Sequence, residues 1–388
     1  MKLCFITSSI SSIGGVQRVL TVLANELSKE YEVDIVLTAR KSKTGKKSIY
    51  DLNEKINVKV VPELYDRSLL RKLIKSVNKK TGILNKKSYE ELLKEILYPK
   101  KIQNNYIKFI NSNNYDVVIG VTAYFSMALG IVADKVKSRT IGWQHNSYEA
   151  YLKSKGRYIW NEDVVFDKYI PKLYKYIVLN EHDSEMFKKE RNIDTKVIYN
   201  PRSFKSDEKS NLDKKVFLAA GRFHYQKGFD LLIEAFSIFC KKNSDWNLVI
   251  VGDGEEKENI KELVAKYNIE SRVSLDPFTN NIKEYFLNSS VLALSSRWEG
   301  MPMIVLEALE MGIPIVSFDI TAIVPLVDNE KEGYIVKSYD VEGFANAMLK
   351  IVDSKEVLKK FSNNCIIKSK EFDMENIAKK WKEILDNN

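Results

Sequence analysis

Cysteine is scarce in this sequence. The three cysteines, Cys4, Cys240 and Cys365, are odd in number and lie far apart in a chain of 388 residues. This spacing fits neither a set of disulfides nor a zinc site with closely spaced ligands. We therefore expect a reducing, cytoplasmic environment, where disulfides are rare.

Long apolar runs are also missing. No segment approaches the roughly 18 consecutive apolar residues of a membrane-spanning helix, so such a helix is excluded. The apolar stretch near the N-terminus is too short for a signal peptide and predicts a first β-strand. The composition, 44% apolar and 29% charged, is that of a folded globular protein. The length of 388 residues exceeds what one hydrophobic core usually supports, so we expect two domains.

Acidic residues are absent from one segment. Residues 67–87 contain eight Lys and Arg and no Asp or Glu. The wider region 41–108 has eighteen basic and seven acidic residues, a net charge of +11, whereas the whole chain carries +9, so the remainder sums to −2. The positive charge is thus concentrated in one part of the chain.

The same segment has the pattern of an amphipathic helix, with its apolar residues on one face. These are Leu69, Leu70, Leu73, Ile74 and Val77. One interpretation is a helix on an anionic membrane, bound through Arg71, Lys72, Lys75, Lys79 and Lys80. The other is an ordinary helix with its apolar stripe inward and its lysines in solvent. Nucleic-acid binding is disfavoured, because the segment lacks interleaved aromatic residues and any known motif.

Strand and helix patterns alternate along the chain in two series. The first starts with strands at 2–7 and 32–38 around a helix at 16–30, and the second runs from the strand at 214–221 to the strand at 313–319. Such alternation predicts parallel sheets covered by helices, an α/β fold with two doubly wound domains. A polar segment, 201–211, marks the boundary between them.

Two loops at predicted strand ends suggest anion binding. The chain has neither a Gly-x-Gly-x-x-Gly fingerprint nor a P-loop in its first strand–helix turn, but Gly14-Gly15 directly precedes a helix, where backbone N–H groups favour anions. In the second series, Arg222 and Lys227 lie between a strand and the next helix with no acidic residue between them. This arrangement suits a diphosphate.

A third loop, "SSRWEGMPMIVLE" (295–307), follows a predicted buried strand. Glu299 is expected at the mouth of that strand, and a helix is expected to start at Met301-Pro302, because Pro suits the first helical turn. Glu307 lies inside this helix among apolar residues, so its carboxylate needs a polar partner, for which ribose hydroxyls of a ligand would serve.

Together these motifs resemble the GT-B glycosyltransferases of family GT4. The matching motifs occur in the family's order over nearly the whole chain: Gly14-Gly15-x2-Arg18, Gly221-Arg-x4-Lys227-Gly228, Val251-Gly252-Asp253-Gly254 and Glu299-x7-Glu307. The resemblance implies two Rossmann-like domains that face each other across a cleft. Residues 1–200 would bind the acceptor and residues 201–370 the nucleotide-sugar donor, with the C-terminal helix, 371–388, packing back on the first domain.

The resemblance also implies roles for individual residues. Arg222 and Lys227 would neutralise the donor diphosphate as it leaves. Glu299 would hold hydroxyls of the transferred sugar, and Glu307 would hold the ribose. His145, which follows a strand of the first domain, would contact the donor sugar near the reaction centre and join Glu299, Arg222 and Lys227 in catalysis. The other expected donor contacts are Gly14, Gly15, Pro277, Phe278, Gly300, Met301 and Met303.

The expected reaction is the transfer of a hexose from a nucleotide sugar, for which we expect UDP, with retention of configuration. The chain contains no Asp-x-Asp motif, so we expect no metal and no other cofactor. The expected acceptor is a lipid-linked saccharide or another glycan in bacterial-type surface polysaccharide biosynthesis, used at the inner face of the plasma membrane. An epimerase acting on a nucleotide sugar without an acceptor would share the same donor site.

Overall fold

Parallel β-sheets organise both halves of the chain, as the alternating strand and helix patterns predict. The computed structural model describes residues 1–12, 14–39 and 50–387. Contacts divide the chain into two units, the first formed by Met1–Tyr199 with the residues from Ile377 onward, and the second by Asn200–Asn376. Four of the lysines counted in region 41–108 lie outside the described residues: Lys41, Lys43, Lys46 and Lys47.

The first unit contains a parallel sheet of seven strands in the order β3-β2-β1-β4-β5-β6-β7. The strands are β1 (Lys2–Thr7), β2 (Glu32–Leu37), β3 (Asn57–Val60), β4 (Val117–Val121), β5 (Arg139–Trp143), β6 (Lys175–Val178) and β7 (Lys196–Val197). The central strands are almost fully buried because helices cover both faces of such a sheet. The strand order reverses between β1 and β4, where ligands of doubly wound folds usually bind.

The helices between these strands are mostly amphipathic. They are α1 (Gly15–Leu27), α2 (Leu69–Thr81), α3 (Glu90–Leu97), α4 (Lys100–Ser112), α5 (Ala123–Val132), α6 (Tyr148–Leu152), α7 (Asp163–Tyr169) and α8 (Glu181–Arg191). Helix α1 buries Val19, Leu20, Leu23, Ala24 and Leu27, as its periodicity predicts. Helix α5 is apolar on nearly every side and is buried throughout most of its length.

The second unit repeats this plan with six parallel strands in the order β10-β9-β8-β11-β12-β13. Its strands are β8 (Val216–Ala220), β9 (Asn247–Val251), β10 (Val273–Asp276), β11 (Val291–Leu294), β12 (Ile315–Phe318) and β13 (Gly333–Val336). Its helices are α9 (Phe229–Cys240), α10 (Lys257–Lys266), α11 (Ile282–Leu287), α12 (Met303–Met311), α13 (Val341–Val352) and α14 (Lys355–Ser369). Here the order reverses between β8 and β11, so the loops after these two strands flank the switch point.

The last helix, α15 (Met374–Asp386), belongs mainly to the first unit. Its buried stripe consists of Ile377, Ala378, Trp381, Ile384 and Leu385. The Trp381 ring meets Trp143 of β5 edge to face, with centroids 5.0 Å apart. The C-terminal segment therefore completes the core of the first unit.

Helix α2 has the opposite orientation. Leu69, Leu70, Leu73 and Val77 are exposed, whereas the polar Asn78 is buried. The interpretation of an ordinary helix with its apolar stripe inward is therefore wrong, because four of the five residues of that stripe are exposed and only Ile74 is partly buried. No helix in the described part of the chain is long and apolar enough to cross a membrane.

Candidate active site

The loop after β8 carries the predicted phosphate-binding residues. Its backbone is tied to the loop after β9, because Gly221 N donates to Val251 O over 3.0 Å and Phe223 N donates to Asp253 O over 2.9 Å. Gly228 ends the loop with φ at +63°, and a Cβ there would lie 2.1 Å from Ser295 O. Only glycine fits this approach, so the start of α9 lies directly against the carboxyl end of β11.

Lys227 and Glu299 meet where these two loops touch. Nζ of Lys227 lies 2.6 Å from Oε1 of Glu299, whose side chain is nearly buried. The same carboxylate accepts hydrogen bonds from the Ser296 hydroxyl over 2.8 Å and from the Gln226 amide over 3.4 Å. Arg222 lies exposed on the same loop. Sequence reasoning assigned Lys227 to the diphosphate and Glu299 to the sugar, and the structure brings the two charges into one pair at the switch point.

Arg297, which sequence reasoning missed, fastens the two loops together. Its guanidinium binds both carboxylate oxygens of Asp230 over 2.6 and 2.9 Å and donates to Tyr225 O over 2.6 Å. It also stacks 3.8 Å from the centre of the Tyr225 ring. A bidentate pair of this kind holds planar groups in one geometry, so Arg297 holds the loop after β11 to the start of α9. Its partner is 67 positions away in the chain, which left no local signal.

The helix after Glu299 begins later than predicted. Pro302 has φ −72° and ψ 109°, an extended conformation, so α12 begins at Met303 and not at Met301. Gly300, Met301 and Met303 are buried, and Met301 Sδ accepts a hydrogen bond from Asn200 N over 3.0 Å. The start of α12 nevertheless follows the carboxyl end of β11, where its N-terminal dipole favours anions.

Glu307 is buried in α12, as its apolar neighbours suggest. Its Oε1 accepts a hydrogen bond from the Ser203 hydroxyl. Ser203 thus supplies one polar partner of Glu307, and the expected contact of Glu307 with a donor ribose stays a prediction. Ser203 belongs to the polar segment 201–211, which lies within the second unit.

One helical turn further on, the buried Glu310 forms an ion cluster that sequence reasoning also missed. Its carboxylate pairs with Arg202 and, over 2.6 Å, with Lys209, and it accepts from Ser206 N over 2.7 Å. A buried carboxylate is tolerated only with such partners. The cluster attaches the polar segment to the same helix that carries Glu307.

Pro277 and Phe278 follow the edge strand β10. Pro277 is exposed and Phe278 is partly buried. They lie at the same carboxyl edge of the sheet as the loops after β8 and β11, because all strands of this sheet are parallel. Their expected contact with the donor stays a prediction.

In the first unit, Gly14 and Gly15 lie at the start of α1, after β1. The Tyr50 hydroxyl is 3.4 Å from both the N and the O of Gly14, and the Arg18 guanidinium lies 5.2 Å from the centre of the Tyr50 ring. Neighbouring Ile13 lies outside the described residues. The glycine pair is thus at the switch point of its own sheet, and its role at the diphosphate stays a prediction.

His145 follows β5 in the first unit. Its ring lies 4.2 Å from the centre of the Trp143 ring, and its backbone N donates to the Tyr151 hydroxyl over 3.4 Å. The imidazole Nε2 is enclosed and has no hydrogen-bond partner within the described residues. Burial lowers the pKa of His145 to about 3, so the ring is neutral near pH 7. Its expected contact with the donor sugar stays a prediction.

The five basic residues of α2 divide into two groups. Arg71 binds Asp66 through two bonds of 2.7 and 2.9 Å, Lys75 donates to Leu97 O over 3.1 Å, and Lys79 donates to Tyr158 O. These three side chains bind groups of the protein itself, and their expected place on a membrane stays a prediction. Lys72 and Lys80 are exposed. In the described part of the chain, no group of three or more His, Cys, Asp or Glu side chains is placed to hold a metal ion.

Comparison with known proteins shows what the chain is similar to. The family "Glycosyl transferases group 1" matches residues 202–368, which include every candidate residue of the second unit. An uncharacterized glycosyltransferase of Haemophilus influenzae is 29% identical, with 99% of each chain covered. The UDP-Gal:alpha-D-GlcNAc-diphosphoundecaprenol alpha-1,3-galactosyltransferase of Escherichia coli is 27% identical over 96% of this chain and 93% of its own.

The fold has known counterparts as well. The crystal structure of a TarM variant from S. aureus, in complex with fondaparinux, alpha-GlcNAc-glycerol and UDP, covers 100% of both chains with a TM-score of 0.78 and 14% identity. That similarity concerns the fold alone. Residues 202–368 thus match the group 1 glycosyl transferases, relatives aligned along nearly the full chain are glycosyltransferases, and the fold is that of the GT-B enzymes, all of which supports a GT-B glycosyltransferase of the GT4 type.

Proposed function

We propose that the chain transfers a sugar from a UDP-sugar to a lipid-linked saccharide, with retention of configuration and without a metal ion. The product would serve bacterial surface polysaccharide or glycan biosynthesis, on the cytoplasmic face of the plasma membrane. The observation that carries the proposal is the Lys227–Glu299 pair between the loops after β8 and β11. The switch point of a doubly wound sheet is where nucleotide ligands bind, and this one has both a cation and a hydroxyl-binding carboxylate.

The relatives support the choice of donor and acceptor. The Escherichia coli relative is named for a UDP-sugar donor and a diphosphoundecaprenol-linked acceptor. The S. aureus structure contains UDP and a GlcNAc derivative. These are properties of those proteins, and for this chain they indicate which substrates to test first.

In the proposed reaction, the bond between the anomeric carbon and the diphosphate oxygen breaks while an acceptor hydroxyl attacks the same face of the sugar. The electron pair of the broken bond stays on the diphosphate, which takes up the acceptor's proton. Lys227 and Arg222, with the N-terminal end of α12, would stabilise this developing charge in place of a metal. Such fixed charges favour the transition state over the ground state.

The carboxylates would orient the donor. Glu299 would accept hydrogen bonds from hydroxyls of the transferred sugar while Lys227 and Ser296 fix its position. Glu307 would accept hydrogen bonds from the ribose hydroxyls, with Ser203 orienting its carboxylate. The contacts assigned to Gly14, Gly15 and His145 belong to the same proposal and rest on the family resemblance.

The test is turnover of a UDP-sugar panel with lipid-linked acceptors. We expect Lys227→Ala and Glu299→Ala each to lower kcat by roughly a hundredfold, the usual loss for one preorganised stabilising group. The matched control is the exposed pair Lys350–Glu330 of the same unit, with a 2.9 Å separation, where Lys350→Ala and Glu330→Ala should leave kcat unchanged. Wild-type turnover in the Lys227 or Glu299 variant would refute the assigned roles.

Two further arms of this experiment test the chemistry. Activity should survive a chelator, and the product should have the anomeric configuration of the donor sugar. Loss of activity that added divalent metal restores would contradict the metal-free proposal. Release of an epimer or of free sugar at full rate without an acceptor would contradict the transfer.

A further inference from the structure

Helix α2 leaves its apolar residues in water. The exposed fractions are 82% for Leu69, 68% for Leu70, 63% for Leu73 and 49% for Val77. Leu69, Leu70 and Val77 are each three or four residues from Leu73, so the four side chains fall on one side of the helix. Four large aliphatic side chains on one helical face are unfavourable in water unless something covers them.

This orientation is held by specific polar contacts. The side-chain amide of the buried Asn78 donates to Asn161 O over 2.7 Å, and its carbonyl oxygen accepts from Leu84 N over 2.9 Å. Lys75 donates to Leu97 O on the same inward side. At the start of the helix, Ser68 caps Arg71 N. The inward face of α2 is therefore polar and forms specific hydrogen bonds with the rest of the unit. Rotating the helix would leave Asn78, Lys75 and their partners without these hydrogen bonds.

The exposed face is larger than α2 alone. Ile83 follows the end of the helix, and Leu92 lies on α3, against which α2 packs. Both are more than half exposed. Exposed apolar residues are thus found directly after α2 and on the helix that it contacts, as well as on α2 itself.

Exposed cations surround this surface. Lys72 and Lys80 lie beside the leucines on α2, and Lys86 and Lys87 follow a few residues after the helix. No acidic residue occurs from 67 to 87. On α3, Glu90 and Glu91 are paired with Lys168, and Glu91 also with Lys94. The face therefore has a net positive field around an apolar centre.

We propose that α2 is an interfacial helix that binds an anionic bilayer. Leu69, Leu70, Leu73 and Val77 would insert between the lipid headgroups, and Lys72, Lys80, Lys86 and Lys87 would bind headgroup phosphates. Apolar insertion flanked by lysines is the usual mode of such helices. A second copy of this chain would bring two positive faces together, and nucleic acid would leave the leucines uncovered, so charge and apolarity together favour the membrane.

This inference rests on the proposed function in one respect: a lipid-linked acceptor would lie in the same bilayer that α2 binds. Vesicle binding itself does not require transferase chemistry. The two proposals therefore fail separately: the Lys227→Ala variant should bind vesicles fully while losing turnover, and a variant of α2 should keep turnover with a water-soluble acceptor analogue.

The experiment measures binding of the full chain to phosphatidylcholine vesicles with and without phosphatidylglycerol. We expect binding to the anionic vesicles that weakens with added salt, because the lysine contribution is screened. The double variant Leu70→Ser/Leu73→Ser should bind at least about tenfold more weakly, since the apolar area it removes is equivalent to more than that factor. The double variant Lys72→Glu/Lys80→Glu should lose a similar factor on anionic vesicles.

Matched controls come from the second unit. Val324→Ser/Ile367→Ser removes two aliphatic side chains that are 64% and 65% exposed, and Lys241→Glu/Lys242→Glu reverses two exposed lysines. Both should bind vesicles as the wild type does. A Leu70→Trp reporter should shift its fluorescence to shorter wavelength when vesicles are added.

Three results would overturn the proposal. The first is wild-type binding by the Leu70→Ser/Leu73→Ser variant, and the second is a Leu70→Trp reporter that stays in water when the protein is bound. The third is concentration-dependent self-association without vesicle binding, abolished by the same double variant, which would assign the surface to a second copy of the chain.

Discussion

Helices α2 and α15 have the same length, 13 residues, and both contribute to the first unit, yet they present opposite faces to it. Helix α15 buries its apolar stripe, including Trp381 and Leu385. Helix α2 buries Asn78 and exposes Leu69, Leu70 and Leu73. An amphipathic pattern therefore specifies two faces of a helix without specifying which face is inward.

The difference lies in what each helix packs against. Trp381 of α15 meets the buried Trp143, while Lys382 and Asp386 at the rim bind Glu30 and Tyr31 over 2.6 and 2.9 Å. The residues under α2 instead offer backbone carbonyls and carboxylates, such as Leu97 O and Glu162, which match a polar face. The complementary surface decides the orientation, and its residues are distant in sequence.

The largest effect on this comparison is expected from Trp381→Ala. The substitution removes a fully buried ring from the apolar side of α15 and should lower the free energy of unfolding of the first unit by about 3–5 kcal/mol. The measurement is denaturant unfolding followed by fluorescence of a tryptophan in that unit. If the loss is below about 1 kcal/mol, the apolar side of α15 is not its anchoring face.

The next largest effect is expected at the polar side of α2. Asn78→Ala leaves the partly buried Asn161 O and Leu84 N without their partner and should cost about 1–3 kcal/mol. The exposed Ser76, two residues earlier on the same helix, is the control, and Ser76→Ala should be neutral. Equal stability of the two variants would show that α2 is not held by its polar face.

A pH effect should follow from Glu162, which lies beneath α2 with its carboxylate 3.8 Å from Lys79 Nζ. Burial raises the pKa of Glu162 from its usual 4.5 to about 7, against the opposing effect of Lys79 and Lys75. The folded state then holds a proton that the unfolded chain has released, so this group makes stability fall as the pH rises from about 4.5 to about 7.

The Glu162→Gln variant tests this effect. The variant should lack this pH dependence, because glutamine does not titrate. The free energy of unfolding of the wild type should therefore fall by about 1 kcal/mol or more relative to that of the variant across this pH range. The measurement is the difference in unfolding free energy between the two proteins at several pH values. A difference that stays constant with pH, or one that reverses, would contradict the burial of this carboxyl under α2.

The smallest effect is expected at the exposed side of α2. Leu70→Ser and Leu73→Ser should each change the free energy of unfolding by less than about 0.5 kcal/mol in the absence of lipid, because little burial is lost. The same substitution at the buried Leu385 of α15 should cost several times more, which makes the pair a direct test of orientation. A comparable loss of unfolding free energy for the substitutions in both helices would contradict the opposite orientations of α2 and α15.

Sequence patterns predicted much of the fold, because buried parallel strands are continuous apolar runs. Strands β1, β2, β8 and β11 were expected close to their observed positions. The edge strands β3 (Asn57–Val60) and β13 (Gly333–Val336) were missed, since they are short and partly exposed. Helix α5 was missed because an element that is apolar on all sides has no helical period.

The contacts of the candidate site were also predictable only in part. The approach of Lys227 and Glu299 was foreseeable, because the ends of strands flanking a switch point lie together. The contacts of Arg297 with Asp230 and of Glu310 with Arg202 were not, since their partners are 67 and 108 residues distant. Long-range polar pairs have no periodic signature, and only the folded chain reveals them.

The contact between Gly228 and Ser295 O has a consequence for engineering donor preference. The loops after β8 and β11 share that backbone contact, the Arg297–Asp230 bond and the Lys227–Glu299 pair. Grafting one of these loops from a relative would leave its half of each contact unmatched. The two loops form a single exchangeable module, and chimeras that change the sugar should be built by transplanting residues 221–230 and 295–300 together.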